Sequence, residues 1–146
     1  MKQLLPVRVG YENYGLKLED VQEIVEDVKI YPLPGTPAEI AGAIAFHGRI
    51  VPVIDLPRLL KFPLGRIGRR LVVLTNAHGP MALGVDRVAA ITKADGFAGS
   101  PTQESSDRPY VEQVHICGGQ MIGRLDLEQL GQKVAELCLQ GAADER

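Results

Sequence analysis

The sequence has only two cysteines, Cys117 and Cys138, in 146 residues. No Cys-x-x-Cys motif and no paired histidines at ligand spacing accompany them, which argues against a disulfide framework or a zinc site, so both are expected to be free thiols. The longest apolar run, residues 40–46, is far shorter than the ~20 residues that cross a bilayer. Pro6 and Arg8 interrupt the N-terminal apolar residues, so we expect no secretory signal and a cytoplasmic location.

Excess positive charge and catalytic motifs are also missing. The formal net charge is −2, whereas a protein that mainly neutralises phosphates is basic, so nucleic acid is not expected as a partner. The sequence contains no Gly-x-x-x-x-Gly-Lys loop, no Gly-x-Gly-x-x-Gly opening a helix and no Gly-x-Ser-x-Gly elbow. We therefore predict no enzyme activity and no cofactor.

What the chain does contain is a pattern of short strands. Apolar residues make up 45% of it, enough for a buried core. Polar and apolar residues alternate around Val7, Leu16, Leu83 and Val114, with turn signals between them. This pattern predicts an all-β fold with short helices.

Two continuous apolar runs, residues 50–54 and 71–74, predict strands that are buried on both faces. Pro52 places the first of them at a sheet edge or a bulge. The polar segment 95–109 is most simply a surface loop.

Helical signals are confined to residues 38–40, residues 56–60 and a longer stretch. The longer one predicts an amphipathic C-terminal helix over about 127–139, with Gly141 as its stop.

Two segments of the chain resemble two later ones. Residues 14–24 resemble residues 81–91 at an offset of 67, and residues 51–59 resemble residues 122–130 at an offset of 71. The two resemblances run in the same order, which indicates an internal duplication, although chance similarity between apolar strands is the alternative.

The duplication predicts a single domain, residues 1–146, made of two related five-stranded β-barrel subdomains. The first covers about residues 1–65 and the second about residues 66–140. Because each half is too small to be stable alone, we expect the two barrels to share a core.

Three aspartates stand at the ends of apolar strands. Asp55 and Asp126 precede helical signals, where an aspartate accepts hydrogen bonds from the first free N–H groups of the helix. A shared-proton dyad of Asp55 and Asp86 is the alternative, but neither is followed by the small-residue turn that exposes such a carboxylate. Capping and turn formation are the favoured roles.

The charges are uneven along the chain, and each charged stretch either meets a partner or faces water. The acidic stretch consists of Glu19, Asp20, Glu23, Glu26 and Asp27, and the basic stretch of Arg58, Lys61, Arg66, Arg69 and Arg70. No aromatic residues are interleaved with the basic ones, which favours a solvated or partner-docking connector over nucleic-acid binding.

One histidine differs from the other two. His78 precedes a glycine in a turn and His115 lies in a strand pattern, where packing or solvent exposure is the default. His47 stands with Gly48 between two apolar strands, where a polar side chain is exposed for recognition. Turn chemistry alone also explains Gly48.

In order along the chain, these signals resemble the CheW-like coupling proteins of bacterial chemosensory systems. The resemblance spans residues 5–130. It rests on Tyr14-Gly15, Val21-Gln-Glu-Ile24, Leu33-Pro34, Thr36-Pro37, Ile40-x-Gly42, Gly48, Val51-Pro-Val-Ile-Asp-Leu56, Val85-Asp86-x-Val88 and Ile122-x-x-Leu-Asp126.

The resemblance implies a double-barrel adaptor that is not an enzyme. Members of this family bridge the cytoplasmic helical tips of chemoreceptors to the histidine kinase CheA, whose regulatory domain has the same double-barrel form. The resemblance also implies partner contacts at Val21 and Glu23, and no insertion into the membrane.

The first-barrel turn departs from the family pattern. It usually reads Asn-Leu-Arg-Gly, whereas here it reads Ala45-Phe-His-Gly48. Histidine has fewer donors than arginine and loses its charge above a pKa of about 6.5. We interpret His47 as a partner-binding residue suited to a differently built receptor or to an adaptor in a non-motility pathway.

Overall fold

The structure, a computed structural model, describes residues 3–94, 96–99 and 109–144. This part of the chain forms two β-sheets and a C-terminal helix, together with short helical turns. The strands are β1 (Gln3–Val9), β2 (Glu12–Lys17), β3 (Val21–Glu26), β4 (Ile40–Phe46), β5 (Arg49–Asp55), β6 (Arg70–Leu74), β7 (Ala82–Gly84), β8 (Arg87–Val88), β9 (Thr92–Lys93), β10 (Gly96–Gly99), β11 (Val111–Cys117) and β12 (Gln120–Leu125). The helices are α1 (Leu56–Leu59) and α2 (Leu127–Asp144), and 3₁₀ turns cover Leu18–Asp20 and Asn76–His78.

The strands form two open sheets and not the two closed barrels that the sequence predicted. One sheet has seven strands in the order β10-β11-β12-β2-β1-β8, with β9 also paired to β1. The other has five, in the order β3-β6-β7-β5-β4. The named strands of neither sheet close on themselves within the described residues. A single bridge between Tyr31 and Ala43 joins the chain after β3 to the far edge strand β4.

The predicted halves of the chain exchange strands between the two sheets. The five-stranded sheet takes β3, β4 and β5 from the first half, and β6 and β7 from the second. The hairpin β1–β2 belongs to the first half by sequence, yet it pairs with β8, β9 and β12. The predicted boundary near residue 65 therefore falls between strands of one sheet.

The repeated segments occupy equivalent places in this arrangement. Gly15 pairs with Arg124 in the parallel ladder of β2 and β12, and Ala82 pairs with Val53 in the parallel ladder of β7 and β5. These are the same two positions of each repeat, since Gly15 and Ala82 are 67 residues apart and Val53 and Arg124 are 71 residues apart. The later segment of each resemblance pairs with the earlier segment of the other in matching register.

The core is shared between the two sheets and α2, as expected for halves that are small. Tyr14 and Leu16 from the seven-stranded sheet pack with Ile54 and Leu74 from the five-stranded sheet and with Leu130 of α2. A second apolar cluster is formed by buried residues of four strands of the five-stranded sheet, β4, β5, β6 and β7. Burying one such large apolar side chain contributes about 1.5–3 kcal/mol, so the shared core holds the two sheets together.

Several local predictions need correction. The helix α2 begins at Leu127 as predicted but continues past Gly141 to Asp144, since glycine only weakens a helix by about 1 kcal/mol relative to alanine. Residues 38–40 form a turn and the first residue of β4, not a helix.

Two further corrections concern strands. Pro52 lies in the interior strand β5, not at a sheet edge or a bulge, and the bulge is in the neighbouring strand β4. Proline is tolerated at this position because β7 pairs with β5 only from Val53 onward. Part of the predicted 95–109 loop is the strand β10, while positions 95 and 100–108 of that prediction lie outside the described residues.

Candidate functional site

The turn between β4 and β5 presents His47 at one end of the five-stranded sheet. His47 has φ +47° and Gly48 has φ +77°, the pair of positive values that a two-residue type I′ hairpin turn requires. Histidine tolerates this region better than most side chains, and glycine adopts it without steric cost. The Phe46 and His47 rings meet edge to face, with centroids 4.3 Å apart. The turn therefore fixes where the imidazole stands.

Glu23 on β3 contacts this turn. Its Oε1 lies 3.3 Å from Nε2 of His47, and the side chains are 47% and 65% exposed, respectively. Because both groups are in contact with water, the pair contributes about 0–1 kcal/mol to stability. What the contact provides is a positioned carboxylate and imidazole on an accessible surface.

Val21 has a different role from Glu23, although both lie on β3. A register shift between the two residues separates their pairing with β6. Such bulges redirect side chains. Val21 is half-buried and packs against the shared core, whereas Glu23 is exposed. The structure thus brings together Glu23 and His47 of the three predicted residues, and it gives Val21 a packing contact.

Sequence reasoning missed two exposed aliphatic side chains. Ile50 on β5 is 77% exposed and Met121 on β12 is 61% exposed. They are 71 residues apart, the offset of the repeat, and they pair across their hairpins with Ala45 and Ile116. Extending the resemblance of residues 51–59 to residues 122–130 by one residue toward the N-terminus would have matched Ile50 with Met121.

The charged stretches meet each other in part. Arg69 donates to both carboxylate oxygens of Asp27, from Nε at 3.0 Å and from Nη2 at 2.8 Å. These hydrogen bonds hold the pKa of Asp27 below its ordinary value and raise that of Arg69. Arg70 lies 3.8 Å from Glu26. Two of the five basic residues are therefore paired with residues of the acidic stretch.

The aspartates serve the fold. Oδ1 of Asp55 accepts from the N–H of Arg58, and Oδ1 of Asp126 accepts from the N–H of Gln129, both at 3.1 Å. Asp86 accepts from two backbone N–H groups, those of Gly10 and Arg66, both at 2.8 Å. The predicted capping and turn-forming roles are confirmed.

Buried polar groups also occur on the seven-stranded sheet. Arg124 is buried, with Nε 2.7 Å from Glu112 and Nη1 3.3 Å from Nε2 of buried His115. Cys117 and Cys138 are not joined in a disulfide; Cys117 is buried and Cys138 is exposed. The described residues include no cluster of three or more potential metal ligands. Across the same residues, no helix has the length and apolar character needed to cross a membrane.

Comparison with known proteins agrees with this architecture. The CheW-like domain model matches residues 3–135. A solved structure of the scaffolding protein TtCheW from Thermoanaerobacter tengcongensis superimposes with a TM-score of 0.78 at 28% identity, covering 88% of this chain and 86% of that one.

Curated relatives carry related names. The probable chemotaxis protein CheW of Rhizobium etli is 26% identical over 134 residues, which cover 88% of this chain and 86% of that protein. Protein FrzA of Myxococcus xanthus is 36% identical over 78 residues, which cover 53% of this chain and 49% of FrzA. With the family model matching nearly the whole chain, the protein belongs to the CheW-like domain family.

Proposed function

We propose that this protein is a non-catalytic adaptor that couples the cytoplasmic helical tip of a chemoreceptor to a CheA-like histidine kinase. The observation that carries the proposal is the exposed contact between Glu23, a position to which the resemblance assigns partner contact, and His47 in the turn that departs from the family pattern. In this role the protein acts in the cytoplasm, at receptor arrays.

The apolar surface supports two separate contacts. Ile24, next to Glu23, is 40% exposed, which suits the side of a receptor helix. Ile50 and Met121 occupy equivalent hairpins of the two sheets, which suits a kinase domain that is itself built from two related halves. Weak contacts of this kind suffice in an array, because linked sites raise the effective concentration of each partner.

His47 favours a variant of this function. An arginine at this turn would offer a permanent charge and several hydrogen-bond donors, whereas the imidazole of His47 offers fewer donors. An adaptor in a non-motility chemosensory pathway is therefore the second candidate. A nucleic-acid-binding function has less support, since Arg69 and Arg70 are engaged by acidic residues.

The proposal is tested by capture of partners from the source cell. The purified protein is used as bait in a lysate, at low and high salt, and bound proteins are identified by mass spectrometry. A CheA-like kinase and a chemoreceptor are expected, and the identity of the receptor separates the two pathways. Recovery of neither contradicts the adaptor function.

A charge reversal then tests the site. Glu23→Arg is expected to weaken binding of the recovered kinase or receptor, measured by titration calorimetry, without changing thermal unfolding. Glu136→Arg on α2 is the matched control, because Glu136 is also an exposed glutamate. Unchanged binding by Glu23→Arg removes Glu23 from the interface.

A further inference from the structure

The three basic residues that are not paired with the acidic stretch surround one cleft. Arg58, Lys61 and Arg66 line a cavity of about 690 Å³ that begins at α1. Phe62 and Ile67 supply its apolar wall. This volume lies within the range of about 300–1,000 Å³ that is typical of ligand-binding clefts. The Glu23–His47 pair is not part of the lining.

The backbone fixes the shape of this cleft. The N–H of Gly65 donates to the carbonyl of Phe62 at 3.1 Å and closes a tight turn. Asp86 then ties this turn to the β1–β2 turn, because its two oxygens accept from the N–H groups of Arg66 and Gly10. A Cβ at Gly65 would lie 2.6 Å from Cβ of Pro57, so the turn packs closely against α1.

The cleft keeps an excess of positive charge. The side chain of Lys61 makes no hydrogen bond or ion pair within the part of the chain that the structure describes, and its backbone N–H donates to the carbonyl of Arg58. Arg58 has one long ion pair, 3.8 Å from Asp55, and Arg66 donates from Nη1 to the carbonyls of Gly65 and Pro63. Asp55 lines the cleft and Asp86 adjoins it at the N–H of Arg66, so two carboxylates compensate the three cations only in part.

An apolar notch of about 270 Å³ adjoins the cleft and shares Phe62 and Gly65 with it. Tyr11 stands edge-on to Phe62, with ring centroids 5.0 Å apart, and its side chain is 75% exposed. Leu64 is 89% exposed beside them. A single exposed leucine needs no explanation, but here it joins two aromatic rings at the rim of a basic cleft.

We propose that this cleft, which we call the connector cleft (Arg58, Lys61, Phe62, Leu64, Arg66 and Tyr11), binds an acidic peptide segment of a partner protein. Carboxylates of the peptide contact the three cations, and one bulky apolar side chain enters the notch. Single-stranded nucleic acid fits less well, because its bases need open aromatic faces to stack on, whereas Phe62 is half-buried and Tyr11 meets it edge-on.

The test uses the whole protein and a fluorescent peptide of glutamates and aspartates around a Leu-Phe pair, read by fluorescence anisotropy at low salt. Lys61→Glu is expected to lower the affinity about fivefold, since reversing one exposed charge costs roughly twice the value of an exposed ion pair. Leu64→Ser is expected to lower it about tenfold through lost apolar burial. Both side chains are exposed, so neither change disturbs the fold.

Lys93→Glu is the matched control. Lys93 is exposed and pairs with Gln3, at the opposite end of β1 from Gly10, about 20 Å away along the strand. It should bind the peptide like the unaltered protein. Absence of peptide binding, equal loss in the control, or tighter binding of a single-stranded oligonucleotide that displaces the peptide would each overturn the proposal. None of these outcomes bears on the Glu23–His47 contact, which is tested separately.

Discussion

Glu23 and His47 are in contact although they belong to opposite edges of the five-stranded sheet. Glu23 lies on the edge strand β3, and His47 follows the other edge strand β4. Their separation of 3.3 Å, together with the bridge between Tyr31 and Ala43, shows that the sheet is rolled until its edges face each other. The pair therefore spans the open seam of this sheet.

The contact predicts that the imidazole of His47 serves partner binding and not folding. His47→Asn removes the imidazole beside Glu23 but keeps a side chain that tolerates the positive φ of this turn. Because an exposed pair of this kind contributes about 0–1 kcal/mol to stability, we expect weaker partner binding with a nearly unchanged temperature of thermal unfolding. Titration calorimetry and thermal unfolding measure the two effects. Unchanged partner binding by His47→Asn would show that His47 does not contribute to the interaction.

The two helix caps give a matched prediction. Asp55→Ala and Asp126→Ala are each expected to lower the free energy of unfolding by about 1 kcal/mol, since each leaves an N–H of the first turn without its acceptor. The effects should add, because the two residues cap different helices. Urea unfolding of the single and double variants measures this, with asparagine at each position as a control that keeps the cap. A cost below that of the asparagine variants would contradict the capping role.

Much of the secondary structure follows from local sequence. The alternation around Val7 and Leu16 predicts β1 and β2, and the aspartate caps mark the starts of both helices. Strand partners do not follow in the same way, because an alternating strand fits any neighbour with an apolar face. The β1–β2 hairpin pairs with strands of the predicted second half, and the local alternation of polar and apolar residues does not encode such long-range pairing.

For the candidate site too, the sequence identifies residues but not the contacts between them. Glu23 and His47 could be selected from the sequence, but their contact depends on the rolling of a sheet. Asp86 was recognised only as a turn residue, since its partners are backbone N–H groups of Gly10 and Arg66, which carry no side-chain signature. The exposure of Ile50 was hidden within a run that appeared wholly buried.

Asp86 should matter for stability more than an ordinary surface aspartate. Asp86→Asn keeps the size of the side chain but leaves one acceptor for two N–H donors, so we expect a loss of about 1–3 kcal/mol. Amide hydrogen exchange should be faster at Gly10 and Arg66 than at distant sites. Glu128→Gln, an exposed change in α2, is the control. Unchanged hydrogen exchange at both amides would show that Asp86 does not tie the turn before Arg66 to the β1–β2 turn.

The ion pair of Asp27 and Arg69 makes stability depend on acid pH. Because the pKa of Asp27 is lowered in the folded protein, its contribution is fully present above the ordinary aspartate value of about 3.9 and is lost as the pH falls through the lower folded value. Asp27→Asn removes the charge, and asparagine tolerates the positive φ of this position as aspartate does. The difference in thermal unfolding temperature between the two proteins should therefore be present at neutral pH and shrink toward zero as the pH falls through the lowered folded pKa of Asp27. A difference that stayed constant with pH would assign the effect to the backbone and not to the ion pair. Arg69 directly precedes β6 of the predicted second half, and Asp27 directly follows β3 of the first half. Loss of this ion pair should therefore also loosen the contact between the two halves, where the N–H of Asp27 donates to the carbonyl of Arg69.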